Sequence, residues 1–347
     1  MPTLPTESQS LRESAASSPI GGLVGLDVLP AGKARLARRI VAGGGRPAAA
    51  DFDKQGLTLS PDEAQALERW WGGGLDTEVV DRVEAQDGTV RLSVGLHDQR
   101  RIETVAMPIG AVCVSTQVGC AVGCRFCASG LYGVERNLSA GEIVEQVVHA
   151  RRELRIERVV YMGMGEPSHN LEAVLDAAAA IKQVALIGPK RQTVSSVGSV
   201  RAIERMSQAE VRPCLALSLH LVDDERRREL LPRAHKDRVV DLVAAADEYG
   251  RQIGMPIQFE WTLLEGINDR DEDVEALCSL LQGVRGYLNF IVWNPVEGLP
   301  FRAPDRERIV AIVRRVKAAG ILATIRDSSG PDVDAACGQL RLRKPQS

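Results

Sequence analysis

From about Ala111 onward, short runs rich in β-branched residues alternate with longer segments whose apolar positions recur at helical spacing. The runs Val112–Gln117, Arg158–Met162, Gln192–Val197, Pro213–Leu219, Ile257–Leu263, Tyr287–Val292 and Ile321–Ile325 predict strands. Between them Ala140–Arg152, Asn170–Ala180, Arg238–Tyr249, Glu272–Leu281 and Pro304–Ala319 predict helices. Such alternation implies parallel βα units. Six or seven units are too few to close an eightfold barrel, so the expected fold class is α/β, an open, partial βα barrel. In βα barrels chemistry gathers at the carboxyl ends of the strands, which directs attention to the loop after the first of them.

Residues 20–95 have a different texture. A basic stretch, Lys33 to Ala42, predicts a helix, followed by a Gly/Pro/Ala-rich link from Gly43 to Ala50. A second helix starts at Ser60-Pro61-Asp62-Glu63, a capping pattern, and ends near Trp71-Gly72-Gly73-Gly74. Thr89–Val94 and Glu103–Ala106 predict a hairpin leading into the barrel. The expected plan is a disordered tail over 1–19, a small accessory domain over 20–95 with a substrate-docking role, and a core over 96–347. The tail is rich in Ser, Glu, Thr and Pro and has no apolar segment of a secretory leader.

Composition narrows the function classes. With 44% hydrophobic and 26% charged residues, the 347-residue chain is of ordinary globular type. No apolar run reaches the ~18 residues of a membrane span, so a cytoplasmic protein without a membrane partner is expected. The net charge of −3 argues against indiscriminate coating of nucleic acid but not against a focused site. Basic clusters at Lys33/Arg35/Arg38/Arg39, Arg151/Arg152/Arg155, Arg226/Arg227/Arg228, Arg314/Arg315/Lys317 and Arg341/Arg343/Lys344 are expected mainly as solvated helix faces.

The loop after the first strand holds Gly119-Cys120-Ala121-Val122-Gly123-Cys124-Arg125-Phe126-Cys127, a CxxxCxxC spacing. Three thiolates on one loop can hold three irons of a 4Fe-4S cluster and leave the fourth iron open to an outside ligand. Structural zinc takes four protein ligands, and no second thiol or histidine pair lies nearby in the sequence. Seven cysteines in 347 residues do not make a disulfide framework either.

Other strand ends carry polar groups suited to a nucleoside ligand. Tyr161-Met162-Gly163-Met164-Gly165-Glu166-Pro167 combines glycines that allow close approach with a carboxylate acceptor. Ser195-Ser196-Val197-Gly198, Ser218-Leu219-His220 and Trp293-Asn294-Pro295 follow in successive units. Together these form a candidate pocket. Cys113 precedes the cysteine loop, and Cys337 lies in Asp332-Val333-Asp334-Ala335-Ala336-Cys337-Gly338-Gln339-Leu340.

The CxxxCxxC loop resembles that of the radical S-adenosylmethionine (SAM) superfamily. The ordered set, from Gln117–Cys127 through Gly163–Pro167, Ser195–Gly198, Ser218–His220 and Trp293–Pro295 to Ala335–Leu340, resembles the RlmN/Cfr family of RNA methyltransferases. The resemblance implies a radical SAM core in which Cys120, Cys124 and Cys127 hold a 4Fe-4S cluster and Gly165, Glu166, Ser195, Ser218, Leu219, His220 and Asn294 bind SAM. It implies that two SAM molecules serve carbon 2 or carbon 8 of an adenine in 23S ribosomal RNA, with tRNA as a second substrate. Cys337 takes a methyl group from one SAM; a deoxyadenosyl radical from the other removes hydrogen from that methyl, and the carbon radical adds to the ring. Glu103 is then implied as the proton acceptor and Cys113 as the thiol that frees the product, leaving a transient Cys113–Cys337 disulfide. An external electron donor and a monomeric enzyme are implied as well. Cys214 and Cys278 have no role there and are expected as buried small hydrophobes. The segment Arg326–Asp332 and residues 20–95 depart from the family pattern, which leaves the RNA and the ring carbon open. Alternatives are a radical SAM enzyme with another substrate, or a non-catalytic metal-containing RNA-binding protein.

Overall fold

The structure is a computed structural model that describes residues 29–42, 45, 47–71, 75–326 and 328–341, with side chains of 69–71 left aside. The expected tail over 1–19 lies outside the described residues, as do Asp327, Arg343, Lys344 and Gly72–Gly74. The strands in chain order are β1 (Glu78–Glu84), β2 (Val90–Gly95), β3 (Arg101–Met107), β4 (Ala111–Cys113), β5 (Gln117–Gly119), β6 (Val134–Asn137), β7 (Arg158–Tyr161), β8 (Gln192–Ser196), β9 (Cys214–Ser218), β10 (Ile257–Leu263), β11 (Gly286–Val292) and β12 (Leu322–Arg326). Ten form one sheet in the order β1-β2-β3-β4-β7-β8-β9-β10-β11-β12. Pairings from β1 to β4 are antiparallel and those from β4 to β12 are parallel. The two ends do not meet, so the barrel is open, in agreement with the unit count.

The helices are α1 (Ala31–Ala42), α2 (Ala49–Asp53), α3 (Pro61–Trp71), α4 (Ala140–Glu153), α5 (Leu171–Val184), α6 (Val200–Ser207), α7 (Asp224–Leu230), α8 (Val239–Ile253), α9 (Asp271–Leu281) and α10 (Arg306–Ala318). Local chemistry sets their starts. Ser60 and Glu63 exchange backbone and side-chain hydrogen bonds before α3, and Ser139 and Glu142 do the same at α4. Gly254, at φ +70°, closes α8 in the left-handed conformation. β9 and β10 are buried over almost their whole length, β9 as a nearly continuous apolar run and β10 with Gln258, Glu260 and Thr262 set between its apolar residues.

Two details of the strands differ from expectation. The strand expected over 112–117 splits: β4 stops at Cys113, and β5 leaves the sheet to pair with β6 in a separate antiparallel ribbon. The backbone between them is satisfied elsewhere, Ser115 N by the Gln146 side chain at 2.7 Å and Thr116 N by Met164 O at 2.7 Å. This detour carries the chain out of the sheet and presents the cysteine loop above the strand ends. The second difference is β1, an exposed edge strand with a bulge near Val79–Asp81. Its charged residues hide the alternation that marks other strands, and charges and bulges also discourage edge-to-edge pairing. Among the described residues no helix is long and apolar enough to cross a membrane.

Candidate functional site

At the carboxyl ends of the parallel strands a cavity is lined by Cys120, Cys124, Cys127, Gly165, Glu166, Ser195, Ser218, His220 and Cys337. A neighbouring cavity is lined by Cys113, Met162, Arg326 and Ser329. The two share a wall that includes Cys127, Gly163 and Cys337. Cys337 therefore stands at the junction of the cysteine-loop chamber and the Cys113 chamber. All seven cysteines are free thiols, so the Cys113–Cys337 disulfide implied by the resemblance is not a bond of this state. Cys214 is buried and Cys278 half-buried.

Cys337 is held by bonds that cross the whole chain. Asn294 Nδ2 donates to Cys337 O at 3.0 Å and to Ser328 Oγ at 2.8 Å. Ala128 N donates to Gly338 O at 2.7 Å, and Ser129 Oγ to Leu340 O at 2.6 Å. The segment after β12 is thus strapped to the cysteine loop itself. Asn294, expected at SAM, uses its amide on this strap and is not among the cavity-lining residues.

The cysteine loop surrounds its sulfurs with backbone donors. Backbone N–H groups of Val122 and Gly123 serve the Cys120 sulfur, and those of Ser129 and Gly130 serve Cys127. Burial, reinforced by the charge of Cys127, pushes Cys120 up to about 12; burial and both partner thiols push Cys124 well above the usual thiol range. Three buried sulfurs that repel one another as thiolates, each facing one cavity, are a set that a cationic iron centre would neutralise. Among the described residues no three His, Cys, Asp or Glu side chains converge as a single metal ion requires.

Around the loop, Gly165 has φ +107°, and a Cβ there would lie 2.6 Å from Gln117 N and Thr116 Oγ1. Glu166 accepts from Ser168 N at 2.9 Å, Ser196 Oγ at 2.5 Å and Val197 N at 3.0 Å, tying the β7 loop to the end of β8. Ser195 Oγ and Ser218 Oγ are 3.3 Å apart. His220, at φ +61°, accepts from Thr262 N through Nδ1 at 3.1 Å, which leaves the proton on Nε2. Burial, then the charge of Arg227, lowers His220 to about 3, so it stays a neutral donor. Leu219 is fully buried behind this wall and touches the site only through its neighbours.

Glu103 is placed differently. It is 2% exposed, pairs with Arg91 at 2.5 Å and accepts from Arg341 N at 2.9 Å. It lines neither cavity. Cys113 lies near Cys337, and burial, followed by the charge of Cys337, pushes it up to about 12.

Three residues of the site were not anticipated. Arg227, expected on a solvated face, is 4% exposed and donates to Leu219 O, Val197 O and Ser218 O at 2.9, 2.6 and 3.0 Å. Its neighbour Arg226 bonds Asp273 and Ile267 O. Arg326, at the end of β12, neighbours Cys337, Glu260 and Cys113. Glu260 is a charged residue in the middle of the buried strand Ile257–Leu263, and that anomaly was the available signal.

Comparison with known proteins agrees with this geometry. The radical SAM superfamily pattern matches residues 114–279. A probable RNA methyltransferase of Chromobacterium violaceum is 48% identical over 265 residues, covering 76% of this chain and 75% of that protein. One of Pseudomonas aeruginosa is 47% identical over 262 residues, covering 76% of each chain. The crystal structure of a radical SAM methyltransferase from Sphaerobacter thermophilus superposes with a TM-score of 0.79 at 36% identity, over 96% of this chain and 97% of that one. The chain belongs to the radical SAM superfamily, among its methyltransferases.

Proposed function

We propose that this protein methylates a ring carbon of an adenine in RNA, carbon 2 or carbon 8, with 23S ribosomal RNA as the main substrate and tRNA as a second. The observation that carries this reading is the position of Cys337 at the meeting of the two cavities, together with relatives named as RNA methyltransferases. A non-nucleophilic ring carbon cannot attack the methyl of SAM directly, so the methyl needs a carrier and a radical step. Cys120, Cys124 and Cys127 would hold a 4Fe-4S cluster, and Gly165, Glu166, Ser195, Ser218 and His220 would surround SAM. Together with an external electron donor, the bound pair supplies the one-electron chemistry that activates the methyl group.

The chain's own residues do the rest. The Cys337 sulfur accepts the methyl of one SAM by displacement and holds it as a thioether facing the pocket. Leu219 and Asn294 act from behind, Asn294 by fixing the Cys337 backbone. When the activated carbon has joined the adenine, the adduct would return its unpaired electron to the bound one-electron couple and a carboxylate takes the ring proton. Glu103 is assigned that role on the resemblance, with release from Arg341 as the strap moves. Cys113, once deprotonated, then attacks the Cys337 sulfur: the S–S bond forms, the C–S bond breaks with its electron pair going to the carbon, that carbon takes up a proton, and the methylated base leaves. An outside reductant returns the two thiols. Residues 20–95 are assigned to RNA docking.

Mapping of methyladenosine isomers in ribosomal RNA and tRNA, with and without this protein, tests the target. Methylation should vanish in Cys337→Ala, and Cys113→Ala should accumulate a covalent protein–RNA adduct, visible as a shifted band that nuclease removes. Full activity in both variants would end this reading. Anaerobic reconstitution separates the enzyme from a metal-containing RNA-binding protein: four irons per chain are expected, with SAM cleaved under reducing conditions.

A further inference from the structure

Glu260 is 2% exposed and lines the cavity, yet among the described residues its Oε2 has no hydrogen-bond partner. Its other oxygen is occupied: Asn289 Nδ2 donates to Oε1 at 3.0 Å, and Thr324 Oγ1 donates to Asn289 Oδ1 at 2.6 Å. This relay runs across β10, β11 and β12, where Glu260 pairs with Asn289 and Asn289 with Thr324. On its other side Glu260 is in register with Ser218, another cavity residue. Three strands thus fix the carboxylate at the pocket wall, with one oxygen buried and left without a partner. Leaving a buried acceptor unpaired costs about 1–3 kcal/mol, more for a charged group, so such an atom calls for a ligand donor.

The surroundings of Glu260 narrow the donor. Arg326 neighbours both Glu260 and Cys337, so the carboxylate and the proposed methyl carrier share one guanidinium. A base presented to the Cys337 methyl would bring its edge to this pair. Adenine offers an N6 amino donor where guanine offers the O6 acceptor. A carboxylate oxygen welcomes the first and repels the second.

We propose that Glu260 Oε2 receives the exocyclic amino group of the substrate adenine and thereby selects adenine over guanine. This rests on the adenine reading above, whose own failure would show separately as unchanged methyladenosine in the mapping experiment. The test uses RNA fragments around the mapped site, carrying either adenosine or purine riboside, which lacks the amino group. Binding is measured with the anaerobically reconstituted enzyme and with Glu260→Gln, which can keep the Asn289 bond through its carbonyl and then turns an N–H toward the base. The wild type should prefer adenosine by about ten- to a hundredfold, and Glu260→Gln should bind both fragments alike. SAM affinity, measured without RNA, should be the same for both proteins. Equal binding of the two fragments by the wild type overturns the proposal. So does a loss of SAM affinity in Glu260→Gln, which would assign the carboxylate to the cofactor.

Discussion

A guanidinium bonded to three backbone carbonyls is a fixed strut, and Arg227 holds together the turns that follow β8 and β9. Lysine cannot reproduce the fork. Arg227→Lys should lose about 2–4 kcal/mol in urea denaturation, because carbonyls stay buried without donors; a loss under 0.5 kcal/mol (about the size of an ordinary surface change) would show the strut is dispensable. A second buried group sets a pH response. Thr77 Oγ1 donates to Glu145 at 2.6 Å and lies 2.9 Å from His149 Nε2. Burial pushes Glu145 from 4.5 up to about 7, and burial, then Arg152, lowers His149 from 6.5 to about 4. The raised carboxyl stabilises the fold at low pH and loses that contribution as pH climbs from 4.5 toward 7. The depressed imidazole stabilises it above 6.5 and loses that contribution as pH falls toward 4. Between 4.5 and 6.5 the two oppose each other. Glu145→Gln should therefore make Tm fall on acidification through this window, by at most about 3 kcal/mol of stability, while His149→Gln should make it rise. Parallel Tm–pH curves for wild type and both variants would contradict this. Single residues were also where the sequence was least legible. Arg227 looks like its neighbours in an arginine run, and only the folded turns show that it points inward.

At the scale of elements, the seven parallel strands and the five long helices of the core were legible, because their burial leaves apolar runs and 3.6-residue periods. Helices α6 and α7 were not, being short and rich in arginine and glutamate. The split between β4 and β5 was equally hidden, since the sequence does not show that Gln146 and Met164 take over the backbone bonds of Ser115 and Thr116. That detour packs the Gly165 turn against Gln117. Gly165→Ala must push this turn off β5 or strain it at φ +107°. The expected result is a loss of about 1–3 kcal/mol in stability and at least a tenfold drop in SAM affinity by equilibrium binding; an unchanged affinity would separate the turn from SAM.

Across the whole molecule, a net charge of −3 requires that polyanion contacts be local. Residues of two basic clusters remote in sequence line one cavity: Arg39 from α1 joins Arg151, Arg155 and Arg191 at the amino ends of β7 and β8, where Arg155 and Arg191 pair with Glu157. The expected solvated faces are here one concave patch. If RNA phosphates use it, the pair Arg39→Ala with Arg191→Ala should reduce the salt slope of RNA binding by about 1–2 and leave Tm unchanged; an unaltered slope would exclude it. Long-range closure is what no local pattern reveals. The bond from Arg341 to Glu103 spans 238 positions, and with it Cys337 joins a site whose other thiols lie far earlier in the chain.

This strap has a consequence for biosynthesis. Cys120, Cys124 and Cys127 leave the ribosome long before Cys337 and the carbonyls of Gly338 and Leu340, which follow the last strand. A nascent chain can therefore shape its metal-binding loop well before it owns a methyl carrier, and a chain cut short between β12 and Cys337 would keep the cysteine loop with no means of handing on a methyl group.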